Sequence, residues 1–502
     1  MQREAFRVTG GTALHGNVPV AGAKNAALKL LAAATLTGER CRFTNVPEIE
    51  DVRVMAETLR DLGVVVDHPE PNVYEVAAGD VDWLFVPLEA AAKMRASFML
   101  LGPLLARFGE VIISNPGGDR IGRRPVDLHV DAMRAMGAEI EYRYGYYYAK
   151  APGRLRGAEV RFPFVSVMGT ENAMLAATLA DGHTVLRPAA QEPEIDDLIE
   201  FLQKMGADIE YRNGYYFAKA PGRLRGTEVR FPFVSVMGTE NAMLAATLAE
   251  GHTTIRPAAQ EPEVDDLIVF LQSMGADVQR TYPDTIEVEG KKRLRGAEHR
   301  VIPDRIEAGT FVVAGAVTGG KITLTGAPCE HLGTFVETMG RAGVILSCGK
   351  DTIEVDGSAL GDGGFHAVDI ETAAYPGLAT DIQPPASVLL TQAQGTSNVH
   401  ETIFEDRLEW MGELRRMGAD VDILDSHRAV IRGRSQLHGA EVEIGDLRAG
   451  ASLILAALAA DGTTTIHGAH HVHRGYENIE GKFLDLGARI ERLAEGNDTT
   501  SS

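Results

Sequence analysis

The sequence predicts an α/β fold assembled from repeated modules and divided into at least two domains. Three observations predict it. Amphipathic helical patterns end, at intervals of about 70 residues, in a hydrophobic residue, Gly and a small residue. The marks are Leu62-Gly63-Val64, Met136-Gly137-Ala138, Met205-Gly206-Ala207, Met274-Gly275-Ala276, Met417-Gly418-Ala419 and Leu486-Gly487-Ala488, with a degenerate seventh at Arg341-Ala342-Gly343-Val344. Between the marks β-branched runs alternate with helical patterns, and that alternation builds layered α/β domains. Finally, 502 residues with 45% hydrophobic content suffice for more than one core.

Each unit reads as strand, short turn, strand, loop, helix and strand. Gly stops the helices because it takes up the left-handed conformation without steric cost. Gly-Thr-Thr-like turns, Gly251-His252-Thr253-Thr254 and Gly462-Thr463-Thr464-Thr465, lead into the β-branched runs. Residues 137–205 and 206–274 differ at only about ten positions, and Phe162 to Ala180 recurs unchanged as Phe231 to Ala249. The other units keep only the pattern. So near an identity points to a recent tandem duplication or to deliberate engineering. Whether the surplus unit inserts into the fold, packs outside it or makes a swapped contact stays open.

Composition excludes several functions. A formal charge of −21 argues against nucleic acid, whose partners carry a basic footprint. The N-terminus lacks the basic-then-apolar pattern of a signal peptide, and apolar runs such as Phe98 to Ala106 are too short to span a membrane. The expected location is the cytoplasm. Cys41, Cys329 and Cys348 are odd in number and scattered, so neither a disulfide framework nor a metal spacing is expected.

In chain order, Phe6 to Gly10 and Gly16 to Pro19 read as paired strands, and Ala21 to Leu28 runs into an Ala- and Leu-rich helix. Lys24 at that helix start can meet an anion, since free N–H groups and the dipole favour negative charge there. Arg95 opens an apolar helix, where by itself it reads as a snorkelling surface side chain. After the apolar run Val111-Ile112-Ile113, Pro116-Gly117-Gly118 makes a free-moving turn. It is followed by Asp119 with Arg120, Arg123 and Arg124, and then by Pro125, which can open the helix bearing Asp127 and His129. This places an acid on a hinged loop, 115–125, with arginines able to grip a phosphate; a solvated mixed-charge loop is the plainer alternative.

Glu192-Pro193-Glu194 and its copy Glu261-Pro262-Glu263 are acidic helix starts that suit the dipole. Ala373 to Pro384 holds too many breakers for regular structure and carries Asp381 in its midst. His467, His470, His471 and His473 lack the carboxylate partner that would complete a metal set, and no metal is expected.

Several of these strings together resemble the enolpyruvyl transferases, and within them the UDP-N-acetylglucosamine 1-carboxyvinyltransferases. They are Gly22-Ala23-Lys24-Asn25-Ala26-Ala27-Leu28, the loop from Gly117 to Pro125, Phe404-Glu405-Asp406-Arg407, Asp446-Leu447-Arg448-Ala449 and Arg474-Gly475-Tyr476-Glu477. The resemblance covers nearly the whole chain apart from the extra unit. It implies two inside-out α/β barrels of three βαβαββ-like modules each, where this chain counts seven instead of six. The implied domains are 1–23 with 303–502, and an inserted 24–302; Ile302 to Thr310 is similar to the family's crossing between them.

The implied reaction moves the enolpyruvyl group of phosphoenolpyruvate to the 3-hydroxyl of UDP-N-acetylglucosamine, with no cofactor. Asp119 stands where most of the family has Cys; as general acid it would serve beside the base Asp381 and Lys24. Lys24, Arg95, Arg124 and Arg474 would hold phosphoenolpyruvate with Arg448 in support. Ser166 and Val167 would meet the uridine diphosphate, the first copy being preferred to Ser235 and Val236 of the second, and Asn25, Ile403 and Arg407 would also bind substrate. Where Asp406 stands the family usually has Asn. The small molecules are the only expected partners, with no nucleic acid or membrane, and the chain is expected to be a monomer or weak oligomer. With Asp for Cys at 119, insensitivity to fosfomycin is expected. Two alternatives stay open: a duplicated or engineered relative that binds nucleotide sugar without turnover, and a 5-enolpyruvylshikimate 3-phosphate synthase.

Overall fold

The computed structural model describes residues 3–34, 37–61, 63–79, 251–291, 294–359 and 364–495; between 80 and 250 it describes chiefly the strands 85–86, 110–114, 139–143, 146–150, 159–161, 183–187, 208–212, 215–219 and 228–235. The described strands form seven sheets with one repeated topology. In each, an outer strand runs parallel to its neighbour, and that neighbour pairs antiparallel with a strand that carries one more antiparallel strand on its far side. A parallel pair needs a crossover and an antiparallel pair only a turn, so the order follows from alternating helices and hairpins.

The sheets divide by sequence. Strands from 3–19 and 321–495 make three, and strands from 41–300 make four. Six of the described helices set the architecture: α1 (Lys24–Ala33), α2 (Glu50–Asp61), α3 (Pro262–Ser273), α4 (Arg305–Val317), α5 (Gln383–Thr391) and α6 (Leu447–Ala459). Helices α4, α5 and α6 pack on one another and bury nearly every residue, with the three sheets outside them. This is the inside-out arrangement. It requires helices apolar all round, which Ala, Val and Leu in α4 and α6 supply. In the other group α1 packs on α2 and on α3, which belongs to the second copy.

The chain crosses between the groups twice, side by side. Ala23 N–H donates to the Ile302 carbonyl (2.7 Å) and Asp304 N–H to that of Ala21 (2.8 Å). Gly22 is forced by this approach, because a Cβ there would lie 1.8 Å from the Asn45 carbonyl oxygen. Asp304 then caps α4, accepting from Ile306 N–H and Glu307 N–H.

The helix-stop marks hold where they are described: Gly63, Gly275, Gly343, Gly418 and Gly487 have φ of 85° to 92°. Three local expectations do not hold. Strands 3–9 and 15–19 form but do not pair with each other; the first joins 463–467 and 489–495, the second joins 321–325. Gly10 explains the divergence: its N–H donates to the Gly462 carbonyl, and its Cα lies against the end of α6 too closely for any side chain. The breaker-rich stretch before Pro384 ends in regular structure, a 3₁₀ turn at Thr380–Ile382 leading into α5, since Pro in a first helical turn sacrifices no hydrogen bond. Finally, Cys329 and Cys348 are disulfide-bonded, with Cα atoms 6.0 Å apart. Strand 346–348 lies at the edge of the sheet whose strand 321–325 leads to Cys329, a proximity made by strand order and invisible in the spacing.

Candidate active site

Helix α1 delivers Lys24 at its first residue, beside the crossing. The side chain is buried, and its Nζ lies 2.7 Å from Asp51 Oδ2 at the start of α2. Asp51 Oδ1 accepts from Arg474 Nε at 2.9 Å, so one carboxylate sets two cations. Lys24 N–H points to Asp304 Oδ2 at 3.3 Å. Three segments distant in sequence thereby converge where the two groups of sheets meet.

Asp381, on the 3₁₀ turn before α5, stands against a second pair of cations. Arg407 Nη2 donates to its Oδ1 at 2.9 Å and Arg448 Nε to its Oδ2 at 3.1 Å. Burial alone would raise this carboxyl, but the charges of Arg448, Arg407 and Lys24 outweigh it and hold the group far below the usual carboxylate range. About a quarter of the side chain (26%) stays accessible, so the charge is not sealed from solvent. Arg448 is itself almost fully buried at the N-terminus of α6, and its guanidinium lies 5.2 Å from the ring of Tyr476, whose hydroxyl meets Thr310 Oγ1 at 3.0 Å. Arg448 Nη1 and Arg407 Nε are shielded from solvent with no hydrogen-bond partner among the described residues. Unpaired donors of that kind favour an incoming anion. Such a cluster holds negative groups and keeps one base ionised, which suits proton removal next to a phosphate or carboxylate.

Of the residues singled out by sequence, the structure brings Lys24, Arg474, Asp381, Arg407 and Arg448 into this region. Asn25 is exposed on α1 beside Lys24. Ile403 is 44% exposed, with Phe404 next to it at 41%. Asp406 has φ +59°, a left-handed position that Asn and Asp tolerate best. Asp119, Arg95, Arg124, Ser166 and Val167 lie outside the described residues.

Sequence reasoning missed Asp51, which lies in none of the strings singled out, and Asp304 and Tyr476, which sat unassigned inside strings already noted. The acidic start of α3 carries more than dipole charge. Glu263 pairs with Arg305 (Arg305 Nε to Oε1, 3.0 Å), and Glu261 Oε1 accepts from Tyr375 N–H at 3.1 Å. Glu240 pairs with Lys29 of α1 at 2.5 Å, its carboxyl pushed up by burial against the pull of that lysine. All three glutamates belong to the second copy, which therefore reaches α1, α4 and the Tyr375 turn. Among the histidines, His473 pairs with Glu480 at 3.1 Å, and the rings of His470 and His471 lie tilted by 35° with centroids 4.2 Å apart.

The chain matches the family model described as EPSP synthase (3-phosphoshikimate 1-carboxyvinyltransferase) over residues 8–216 and 195–483. It is 38% identical over 490 residues to UDP-N-acetylglucosamine 1-carboxyvinyltransferase 1 of Carboxydothermus hydrogenoformans, covering 98% of each chain. It is 40% identical over 495 residues to the UDP-N-acetylglucosamine 1-carboxyvinyltransferase of Caulobacter vibrioides, again covering 98% of each. Among solved structures it resembles the enolpyruvyl transferase NikO from Streptomyces tendae, with a TM-score of 0.71 at 23% identity over 99% of this chain and 100% of that one. It also resembles EPSP synthase from Acinetobacter baumannii, with a TM-score of 0.59 at 19% identity over 98% and 100%. Inside-out packing, the Lys24 and Asp381 clusters and full-length identity agree: the chain belongs to the enolpyruvyl (carboxyvinyl) transferase family.

Proposed function

We propose that the protein transfers the enolpyruvyl group of phosphoenolpyruvate to the 3-hydroxyl of UDP-N-acetylglucosamine and releases phosphate, the step that commits the sugar to peptidoglycan. The observation that carries this reading is Asp381, held ionised between Arg407 and Arg448 beside the Lys24–Asp51–Arg474 cluster. Phosphoenolpyruvate bears a phosphate and a carboxylate. Lys24, Arg95, Arg124 and Arg474 hold them, with Arg448 in support. Asp381 takes the hydroxyl proton as the sugar oxygen bonds to C2 of phosphoenolpyruvate, and Asp119 gives a proton to the methylene carbon. Loss of phosphate and of a methyl proton then restores the double bond.

Asn25, Ile403 and Arg407 orient the nucleotide sugar, together with Ser166 and Val167 or their second-copy counterparts Ser235 and Val236. The junction contacts of the second copy favour Ser235 and Val236 over Ser166 and Val167; comparing Ser166→Ala with Ser235→Ala for the Michaelis constant of the sugar separates the two. The domains divide at the paired crossing, 1–23 with 303–502 against 24–302, and the reaction is placed in the cytoplasm.

Phosphate release from phosphoenolpyruvate tests the reading. Turnover with UDP-N-acetylglucosamine and none with shikimate 3-phosphate supports it. The reverse preference, or no turnover with tight nucleotide-sugar binding, overturns it.

A further inference from the structure

Glu401 is a fully buried carboxylate that the reaction above does not use. Its Oε1 accepts from Thr372 Oγ1 (3.0 Å), Ile403 N–H (2.9 Å) and Phe404 N–H (3.3 Å), and its Oε2 from Thr380 Oγ1 (2.8 Å). Among the described residues no Lys, Arg or His forms an ion pair with it. A lone buried charge is costly, so four donors converging on it mark a place where arrangement outweighs stability.

The donors come from two loops. Thr372 and Thr380 stand at either end of a turn closed by Ala373 N–H on the Leu378 carbonyl (2.9 Å), and Asp381 follows Thr380 directly. Ile403 and Phe404 begin the loop that reaches Arg407 through left-handed Asp406. The two loops meet again at the Arg407–Asp381 hydrogen bond, 2.9 Å long. Thr402 adds a second tie, its N–H donating to Thr372 Oγ1 (2.8 Å) and its hydroxyl to the Thr372 carbonyl (2.7 Å).

We infer that Glu401 is a positioning residue: it locks the Asp381 loop to the Ile403–Arg407 loop, so that the base, its arginine and the exposed Ile403–Phe404 shelf move as one unit. This rests on the enolpyruvyl transfer reading. It concerns the acceptor side of the site, because the Lys24–Asp51–Arg474 cluster draws none of its contacts from Glu401.

The test is Glu401→Gln, which keeps shape and one acceptor oxygen but replaces the other by a donor, with Thr380→Val removing a single hydroxyl. Expected for Glu401→Gln is a fall in kcat of about tenfold or more, as misplacement of a reacting group produces. The Michaelis constant for the nucleotide sugar rises and that for phosphoenolpyruvate stays near the parent's. The acid limb of the kcat profile moves to higher pH as Asp381 loses its close hold on Arg407. Thr380→Val moves each quantity the same way by less, and it decides the matter should Glu401→Gln fail to fold. Parent values of kcat, acid limb and both Michaelis constants in the folded variants overturn the inference, as does an equal loss for both substrates with no shift of the limb. Should the parent itself turn over neither substrate, the functional reading falls on its own. Amide exchange of 376–381 and 403–407 then decides the role of Glu401, faster exchange of both segments in Glu401→Gln supporting it and parent rates overturning it.

Discussion

A general base works only while ionised, and Asp381, the proposed base, is kept so by neighbours rather than by solvent. Arg448 and Arg407 bind one oxygen each, and Lys24 adds its charge. The ionised form is stabilised above the ordinary carboxylate range, and that contribution disappears only as pH falls through the depressed value. Removing Arg407 takes away one charge-assisted bond and raises the Asp381 pKa. Arg407→Gln should therefore move the acid limb of kcat/KM upward and lower kcat/KM at neutral pH about 10- to 100-fold, the equivalent of a bond to a charged group. A pH profile checks both; an unmoved limb would show that Asp381 is not the group titrating. The other proposed acid, Asp119, gives a different readout. An epoxide such as fosfomycin alkylates a thiolate, which opens its ring, far more readily than it alkylates a carboxylate. The parent should keep its activity in the drug, and Asp119→Cys should be inactivated with one adduct detectable by mass.

Elements carry the next level of constraint. The Cys329–Cys348 bond joins the turn after strand 321–325 to the edge strand 346–348, across a separation of 19 residues. Closing a loop of that size is worth about 3 kcal/mol in chain entropy. Cys348→Ser should lower the unfolding free energy by about that much, with kcat unchanged because neither segment carries a site residue. Thermal melts with and without a dithiol check it: the parent should respond to the reductant and the variant should not. This bond also shows where sequence stops being informative. Helix ends were readable because Gly275 or Gly418 stops its helix through a local backbone requirement. Pairing partners were not, since strands 3–9 and 15–19 find theirs hundreds of residues away in different sheets. The site divides the same way. Lys24, Asp381, Arg407, Arg448 and Arg474 were named from strings resembling a family. Asp51, which sets two of them, lay in none of those strings, and Glu401 had no local signal at all.

At the scale of the whole molecule, the repeated unit must be accommodated without disturbing the junction where the site lies. The described contacts from the repeats to the rest of the protein run through the second copy: Glu240 to Lys29, Glu261 to the Tyr375 amide, and Glu263 to Arg305. Each has an identical counterpart in the first copy, at Glu171, Glu192 and Glu194. Excising either 137–205 or 206–274 therefore leaves a chain with every junction partner present. The buried Glu263–Arg305 pair makes the outcome decisive, because a chain that could not remake it would leave Arg305 buried and unpaired at a cost of about 3–5 kcal/mol. Both shortened chains are expected to melt within a few degrees of each other and to release phosphate from phosphoenolpyruvate in the presence of UDP-N-acetylglucosamine. Activity in the shortened chains and none in the parent would mean that the extra unit blocks closure of the site. Activity in all three would place that unit where it leaves the Lys24 and Asp381 clusters undisturbed. Loss of activity in both shortened chains, with the parent active, would show that both copies are needed, and that the second copy reaches α1 and α4 only with the first in place.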